Sequence, residues 1–325
     1  VIKIMISRLY RSILCGAFLL AGSSVVSAQQ NSEQTENGAD WFNRMAVALT
    51  ELNFEASLVH AHGDQIEPYQ WLQGNDPDAG SAELLIQMNG PDFRILRVDD
   101  RVAHFNTSAS NYALKSDSIT AILPAAFAEP FERLSHSYQV TVGGGARVLG
   151  RNAQHIRILS RDSQRYSYSL WIDRKHGMPL KVIMLNQSGD VVEQVQLTSL
   201  SVRETAPEIM TEIKNIEMPP MLEDLRVKRP TQYDAHPRWA PQGFRLLSQQ
   251  SHTLVLDSTP VDHYLFSDGL AEYSVYVAEL TEGMETDLAL SSSQTLFSKR
   301  YNNFLVTVVG QVPLAMAQRI ATEVK

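Results

Sequence analysis

The chain has 325 residues, of which 44% are hydrophobic and 20% charged, and a formal net charge of −8 at pH 7. This length predicts two domains, and the acidic balance argues against a nucleic-acid-binding protein and favours basic or neutral partners. The only cysteine in the sequence is Cys15, so residues 29–325 must be stabilised by their hydrophobic cores, without disulfide bonds.

Residues 1–28 have the pattern of a removable export signal. Three basic residues lie among the first eleven, an apolar and small-residue stretch follows, and Val26-Ser27-Ala28 offers the small side chains that a signal peptidase requires. We therefore predict a signal peptide over residues 1–28 and a polar, flexible N-terminus over residues 29–39. An uncleaved membrane anchor is the alternative, which the short, glycine- and serine-containing apolar stretch disfavours.

Residues 40–200 are predicted to form the first domain. Asp40 is placed to cap a helix whose apolar residues recur at helical spacing. Most later segments alternate apolar and polar residues between turn residues, which is typical of antiparallel strands. A loop is predicted at Gly74–Gly80, a helical segment from Leu123, and a hairpin turn at Gly143–Gly145. Few helices against many antiparallel strands make an α+β arrangement, which a curved or partly closed sheet would suit.

The clearest strand pattern runs from Tyr166 to Leu197. Its first strand, Tyr166–Asp173, alternates two sets of side chains with a period of two, and tight turns follow at Arg174–Gly177 and Ser188-Gly189. The pattern predicts three consecutive antiparallel strands. Such a sheet supplies a surface for packing or binding, and this stretch contains no catalytic constellation.

Residues 201–241 differ from both flanks because they are rich in proline and charged side chains. We predict a linker with one short helix over this range, followed by a smaller domain over residues 242–325. In the smaller domain several strands precede a polar, serine-rich segment at Thr281–Ser298, which is predicted to be a mobile loop. A final strand and a helix opened by Pro313 complete the chain.

Motifs with known chemistry are scarce. His60 and His62 have the i, i+2 spacing that places both imidazoles on one strand face, as some metal sites require. No third ligand stands at a recognisable spacing, so we interpret them as two histidines at a strand end and predict no metal and no cofactor. Without a nucleophile elbow or a metalloprotease motif, the sequence favours a non-enzymatic protein, with a hydrolase of unrecognised site as an alternative.

Four aromatic residues of the first domain fall in predicted strands: Phe54, Trp71, Phe93 and Trp171. Ordinary core packing is the simpler interpretation, because aromatic side chains dominate protein cores. The functional alternative is that they line an apolar cavity inside a curved sheet, suited to an acyl chain. We therefore keep them as candidate lipid-cavity residues.

A set of motifs is distributed over both predicted domains. In chain order they are Asp40-Trp41 with Arg44-Met45, Leu52–Phe54, Arg147–Arg151, Arg161-Asp162, Arg165–Asp173, Glu193-Gln194, Pro241–Phe244, Phe266–Leu270, and Thr307–Gly310 with Pro313. Together these motifs resemble the MucB/RseB family of periplasmic regulators that bind anti-sigma factors. Small differences, such as Leu149 and Gln311, leave the resemblance intact, and it covers the whole chain after the signal.

The resemblance implies a large N-terminal unclosed antiparallel β-barrel with helices, similar to the lipoprotein carriers LolA and LolB, and a smaller C-terminal antiparallel sheet with a helix. It implies a periplasmic negative regulator of the envelope-stress response. Such a protein binds the periplasmic domain of a transmembrane anti-sigma factor, mainly through its C-terminal domain, and shields it from site-one proteolysis. Sigma-E then stays sequestered.

The resemblance also implies that a lipid or lipopolysaccharide-type amphiphile releases the inhibition. Expected partners are therefore the anti-sigma factor and an amphiphile, without nucleic acid, and self-association into a homo-oligomer is left open. The alternative function is a periplasmic lipid or lipoprotein carrier of the LolA type, which would deliver its ligand and not only bind it.

Overall fold

The computed structural model describes residues 36–325 apart from residues 77–79, 120, 214, 223–228, 254–259, 282–287 and 292. The predicted signal peptide and most of the predicted flexible N-terminus lie outside the described residues. The predicted extension of the flexible segment to residue 39 is wrong at its end, because Gly38 and Ala39 already belong to the first helix. No helix within the described ranges is long and apolar enough to span a membrane.

The first helix, α1 (Gly38–Glu51), begins before the predicted cap. Asn37 is the N-cap: its side-chain oxygen accepts hydrogen bonds from the backbone N–H groups of Ala39 and Asp40, and the Asp40 carboxylate accepts one from the Asn37 N–H. This reciprocal pair is a capping box. The prediction that Asp40 is the cap is therefore wrong, because Asn37 precedes it with the same capping chemistry.

Eleven antiparallel strands form the large sheet, in the spatial order β6-β5-β4-β3-β2-β1-β11-β10-β9-β8-β7. Its two edge strands are not paired with each other, so hydrogen bonding among the described residues leaves the sheet unclosed. The strands are β1 (Asn53–His62), β2 (Gln65–Asp76), β3 (Gly80–Gln87), β4 (Phe93–Val98), β5 (Arg101–Asn106), β6 (Tyr112–Lys115), β7 (Tyr138–Val148), β8 (Arg151–Ser160), β9 (Ser167–Asp173), β10 (Pro179–Leu185) and β11 (Val191–Arg203).

Two predictions about this sheet are wrong. The segment Gly74–Gly80, predicted as a loop, lies partly in β2 and β3, where Asn75 pairs with Ser81. The glycines at 143–145, predicted as a hairpin turn, lie inside β7 at a bulge, and the chain turns at Leu149-Gly150 instead. A Cβ on Gly143 would collide with the His155 ring, so glycine is needed there for close packing and not for a turn.

One face of the large sheet, called the inner face below, packs against α1 and two short 3₁₀ helices. These helices, Ala125–Ala128 and Phe131–Arg133, replace the single helical segment predicted from Leu123, because Pro130 separates them. The Phe42 ring of α1 meets Phe127 and Phe131 edge to face, with centroids 5.8 and 5.4 Å apart. This aromatic contact anchors the helix in the core of the large sheet.

The opposite face of β2, β3 and β4 is covered by a short helix, α2 (Ile209–Ile213). Its Met210 and Ile213 side chains are buried against Leu72, Leu84 and Leu96. These strands therefore carry apolar residues on both faces, which explains why β2 and β3 contain continuous buried runs and not an alternation of buried and exposed residues.

The small sheet contains six antiparallel strands in the order β12-β13-β14-β17-β16-β15. The predicted mobile loop at Thr281–Ser298 is wrong in part, because two of these strands begin within it. The elements are β12 (Arg245–Thr253), β13 (Pro260–Ser267), β14 (Glu272–Glu279), β15 (Ala289–Ser291), β16 (Thr295–Tyr301), β17 (Phe304–Gly310) and the helix α3 (Leu314–Thr322). Buried residues of β14, β17 and α3 form a second core, and the predicted α+β class with a large and a small antiparallel sheet is confirmed.

The segment between the two sheets makes backbone hydrogen bonds of its own. The Ala113 N–H of β6 donates to the Pro220 carbonyl, and the Leu222 N–H donates back to the Ala113 carbonyl, both at 2.8 Å. Residues 220–222 therefore run beside the edge of the large sheet. Further along, Pro237 pairs with Val324 near the chain end.

Candidate functional site

A cluster of charged and polar groups joins the large sheet to the small one. Arg165, before β9, has a side chain only 3% exposed, and its Nε lies 2.7 Å from Oδ2 of Asp268. The same guanidinium donates to the Asp162 carboxylate and to the Gln242 carbonyl. The Tyr138 hydroxyl donates to Asp268 Oδ2 at 2.9 Å. We call these five residues the junction.

Local turns hold the two carboxylates of the junction in place. Asp268, in the β13–β14 turn, accepts the backbone N–H groups of Leu270 and Ala271 on Oδ1, at 3.0 and 2.8 Å. Asp162, in the β8–β9 turn, accepts from the Ser160 hydroxyl and the Gln164 N–H. Both arrangements are side-chain-to-backbone turns of the Asx kind, so each carboxylate is positioned by hydrogen bonds within its own turn.

Burial and charge set the protonation of the junction. Burial alone would raise the pKa of Asp162, but its hydrogen bonds and the Arg165 charge outweigh that effect and lower it. Burial, with the neighbouring Asp268 charge, raises the pKa of Tyr138 well above its ordinary value. At neutral pH Tyr138 is therefore a neutral phenol, whose hydroxyl donates a hydrogen bond to Asp268.

Glycines allow the two sheets to approach closely. Gly243 has φ +90°, and a Cβ there would collide with Ser137 Oγ. Gly269 has φ +96°, with Leu134 Cδ2 at 3.3 Å from the same hypothetical atom. The next residue, Leu270, is buried in the core of the large sheet. The β13–β14 turn therefore inserts into the first core, and the positive φ at both glycines would strain any other residue there.

The junction brings together four of the motifs that carried the family resemblance: Arg161-Asp162, Arg165–Asp173, Pro241–Phe244 and Phe266–Leu270. This convergence cannot be read from the sequence, because spacing along the chain does not reveal which turn of one sheet meets which turn of another. The sequence feature that could have indicated this contact is that turn residues and charged residues occur together in each of these motifs.

Two clefts flank the junction. The first, about 370 Å³, lies between the 121–126 segment with Glu193 on one side and Leu270, Glu272 and Gln311 on the other; we call it the Glu193 cleft. The second, about 590 Å³, is the Trp239 cleft. Its small-sheet wall includes Arg319, whose guanidinium carbon lies 3.9 Å from the centroid of the Trp239 ring. Both clefts are lined by residues of both sheets.

The four aromatic candidates do not form one group. Phe54 and Trp71 lie on the inner face and contact each other edge to face, with centroids 4.9 Å apart. Phe93 is half-buried on the same face, two residues before buried Ile95. Trp171 points to the other face of β9, because it alternates with the core residues on either side of it and its ring stacks on His155 at 4.6 Å.

A cavity of about 320 Å³ opens on the inner face beside Trp71, which is the one of the four candidates that lines it. Part of the wall is formed by the apolar side chains of Leu49 of α1, Ile119, Ile122 and Leu123. The Trp71 Nε1–H donates to Glu83 Oε1 at 2.8 Å, and Glu83 Oε2 accepts from Arg97 Nε at 3.0 Å. Burial raises the pKa of Glu83 although the Arg97 charge opposes it. The cavity therefore has an apolar wall and one buried polar corner.

Comparison with known proteins extends over both sheets. Residues 37–222 match the MucB/RseB N-terminal domain and residues 229–325 match the MucB/RseB C-terminal domain. Sigma-E factor regulatory protein RseB of Escherichia coli is 28% identical over 308 residues, which cover 94% of this chain and 96% of RseB. Sigma factor AlgU regulatory protein MucB of Pseudomonas aeruginosa is 27% identical over 303 residues, covering 90% and 92%.

Solved structures agree with these sequence matches. MucB in the Pseudomonas aeruginosa MucA/MucB complex superposes with a TM-score of 0.70 at 26% identity, covering 89% of this chain and 98% of that one. A crystal structure of MucB gives 0.57 at the same identity, covering 88% and 97%. The chain belongs to the MucB/RseB family.

Proposed function

We propose that this protein is a periplasmic negative regulator of the envelope-stress response. In this proposal it binds the periplasmic segment of a transmembrane anti-sigma factor and shields that segment from site-one proteolysis, so sigma-E stays sequestered. The carrying observation is similarity over nearly the whole chain to MucB, which has been solved in a complex with MucA, at a TM-score of 0.70. The relatives named as regulators of sigma-E and of AlgU support the same assignment.

In this proposal the two domains, each built on one of the two sheets, have different roles. Residues 1–28 are removed on export, residues 40–200 form the N-terminal domain, residues 201–241 link it to the rest, and residues 242–325 supply most of the contacts with the anti-sigma factor. The junction supports a partner that touches both domains, because it fixes the walls of the Glu193 and Trp239 clefts relative to each other.

We also propose that an amphiphile with acyl chains releases the anti-sigma factor. The cavity beside Trp71 supports this part, since its volume of about 320 Å³ and its mixed lining suit part of an acyl chain and a polar group. Phe54 and Phe93 share the inner face with Trp71, so these three are the preferred contact residues. Trp171 lies on the other face and serves as an internal comparison.

The first experiment is a binding titration. The chain from residue 29 to residue 325 is titrated calorimetrically with the periplasmic segment of the anti-sigma factor of its host. Saturable binding at micromolar concentration or tighter is expected. No binding at these concentrations would sink the proposal, whereas delivery of bound lipid to an acceptor membrane would favour the LolA-type carrier instead.

The second experiment follows cleavage of the anti-sigma segment by its site-one protease. The protein should slow cleavage, and an acyl-chain amphiphile should restore it. Trp71→Phe, which removes a cavity-lining indole and its hydrogen bond to Glu83, should change the amphiphile concentration required, whereas Trp171→Phe should not. Protection that no amphiphile reverses would refute the sensing part and leave the binding part standing.

A further inference from the structure

The inner row of β1 changes character towards its end. Phe54, Ala56 and Leu58 are buried apolar residues, and the next two positions on the same face are His60 and His62. Their ring centroids lie 4.7 Å apart. The buried apolar side chains of β1 are thus followed by two adjacent imidazoles. The strand that carries them is paired with β2 on one side and with β11 on the other.

Both neighbouring strands place a carboxylate beside these histidines. Glu67 of β2 is directly opposite His60, and Glu193 of β11 is directly opposite His62. The hydrogen bonds run diagonally: His62 Nε2 lies 3.3 Å from Glu67 Oε2, and His60 Nε2 lies 2.7 Å from Glu193 Oε1. Three adjacent strands therefore supply four potential ligands to one face, including the third ligand that sequence spacing did not reveal.

The geometry is close to that of a small metal site. One ligand atom from each of His60, His62 and Glu67 lies within 4.8 Å of the others. A tetrahedral zinc ion, with ligands about 2 Å from the metal, needs ligand atoms separated by about 3.3 Å. Small side-chain rotations on a fixed sheet would close that difference.

The surroundings provide an outer shell. The Tyr69 hydroxyl donates to Glu67 Oε2 at 3.0 Å, and the Gln87 side-chain amide donates to Glu67 Oε1 at 3.3 Å. Glu193 accepts from His60 Nε2, an arrangement in which the other ring nitrogen of His60 can face an ion. Carboxylate–histidine pairs and hydrogen-bonded ligand carboxylates of this kind orient the ligands in zinc sites.

Solvent can reach the histidine cluster, and its ligand atoms suit a transition metal. Glu193 also lines the Glu193 cleft, which gives a solvent route to the cluster. Two imidazoles with a carboxylate are a donor set for zinc and neighbouring divalent transition metals, and not for magnesium or calcium, which prefer all-oxygen sites. We propose that His60, His62 and Glu67 bind a divalent transition-metal ion, with Glu193 orienting His60. This inference does not depend on the proposed regulatory function.

Zinc chloride alone is the probe for the test. The chain from residue 29 to residue 325, stripped with a chelator, is titrated with Zn²⁺ against a chromophoric competitor. One equivalent should bind with a micromolar or lower Kd. Zn²⁺ at about 100 times Kd should raise Tm by about 5 °C.

Four variants distinguish zinc binding at this site from nonspecific zinc binding by other histidines. His62→Ala and Glu67→Gln alter half-exposed side chains, so they should fold and should weaken zinc binding by about 100-fold or more. Glu193→Gln should weaken it by about 10-fold, as an orienting residue does. His136→Ala changes an exposed histidine outside the cluster and should leave affinity unchanged. Absence of saturable binding, or equal affinity in wild type and His62→Ala, would overturn the proposal.

Discussion

Two buried ion pairs of this protein stabilise different levels of its structure. Glu83 and Arg97 are directly opposite each other on β3 and β4, and both side chains are less than 10% exposed. Arg165 and Asp268 are equally buried, but they come from turns of two different sheets. The first pair therefore fixes strands within one sheet, whereas the second fixes one sheet against the other.

This difference determines where water can return when a pair is broken. An unpaired Glu83 would remain at the buried corner of the cavity beside Trp71 unless the large sheet unfolds, because its strand is paired on both sides. An unpaired Asp268 can regain water if the sheets separate at the junction. Losing the first pair should therefore reduce the stability of the large sheet, and losing the second should reduce the coupling between the sheets.

The largest effect is expected from Arg97→Met. It leaves Glu83 buried without its cation, which should lower the free energy of unfolding by about 3–5 kcal/mol in urea denaturation. Because burial then holds the pKa of Glu83 above its unfolded value, the protonated form is favoured in the fold, and the deficit should grow as pH rises through that pKa. Arg94→Met, on the same strand but in an exposed pair with Asp92, should cost about 0–1 kcal/mol.

Breaking the junction with Arg165→Met should have a smaller cost and a different signature. We expect a loss of about 2–3 kcal/mol, below the full cost of a buried unpaired charge because Asp268 can rehydrate. Calorimetry should show separate unfolding transitions for the two sheets, and X-ray scattering a larger radius of gyration. Arg157→Met alters an exposed arginine of β8 and should change neither. A single transition with an unchanged radius in Arg165→Met would contradict the comparison.

Tyr138→Phe tests whether the hydrogen bond or the ion pair couples the two sheets, because it removes one hydrogen bond to Asp268 while Arg165 remains. The loss of a hydrogen bond to a buried carboxylate should cost about 1.5–2 kcal/mol. Domain coupling should persist, so calorimetry should still show the wild-type number of transitions. Uncoupled unfolding in this variant would mean that the phenol, and not the ion pair, holds the junction together.

Gly243→Ala tests the close approach of the sheets without changing any charge. The positive φ of Gly243 strains an alanine, and its Cβ would meet Ser137 Oγ, so we expect a loss of about 1–2 kcal/mol. Gly189→Ala is the matched control, since Gly189 has φ +87° and a Cβ at that position would have no atom within 4 Å. The excess cost at Gly243 over Gly189, measured by thermal unfolding, reports the interface contact alone.

The smallest expected effect is a change in the pH dependence of stability when Asp162 is replaced. The lowered pKa of Asp162 means that its contribution to stability is present above its ordinary pKa of 3.8 and is lost as pH falls through the folded value. Asp162→Asn should therefore lower stability slightly at neutral pH, change it little at the acid extreme, and so flatten the acid limb of the stability curve. An acid limb identical to that of the wild type would show that Asp162 does not titrate with unfolding.

Local patterns predicted much of the fold. The strands between Tyr166 and Leu197 follow from strict alternation and two glycine-containing turns, and the structure has β9, β10 and β11 there. The pattern failed where tertiary contacts override it. Gly143 lies in a strand because the His155 ring needs its space, and β2 departs from alternation because α2 covers its second face.

The junction and the histidine cluster were beyond sequence reasoning for a different reason. Arg165 and Asp268 meet only through the packing of two sheets, and Glu67 reaches His62 only through the register of β1 and β2. Neither register nor sheet packing is encoded in the spacing of the residues concerned. Periodicity showed which face His60 and His62 share, but it did not show what stands opposite them.

The pairing of residues 220–222 with Ala113 has a consequence for solubility. An edge strand with free N–H and C=O groups is a template for pairing with another chain and hence for aggregation. In this protein the segment that connects the two sheets occupies that edge at β6. A protease cut within the connection could therefore release residues 220–222 and leave the backbone N–H and C=O groups of Ala113 open to pairing with another chain, even while the junction still holds the two sheets together.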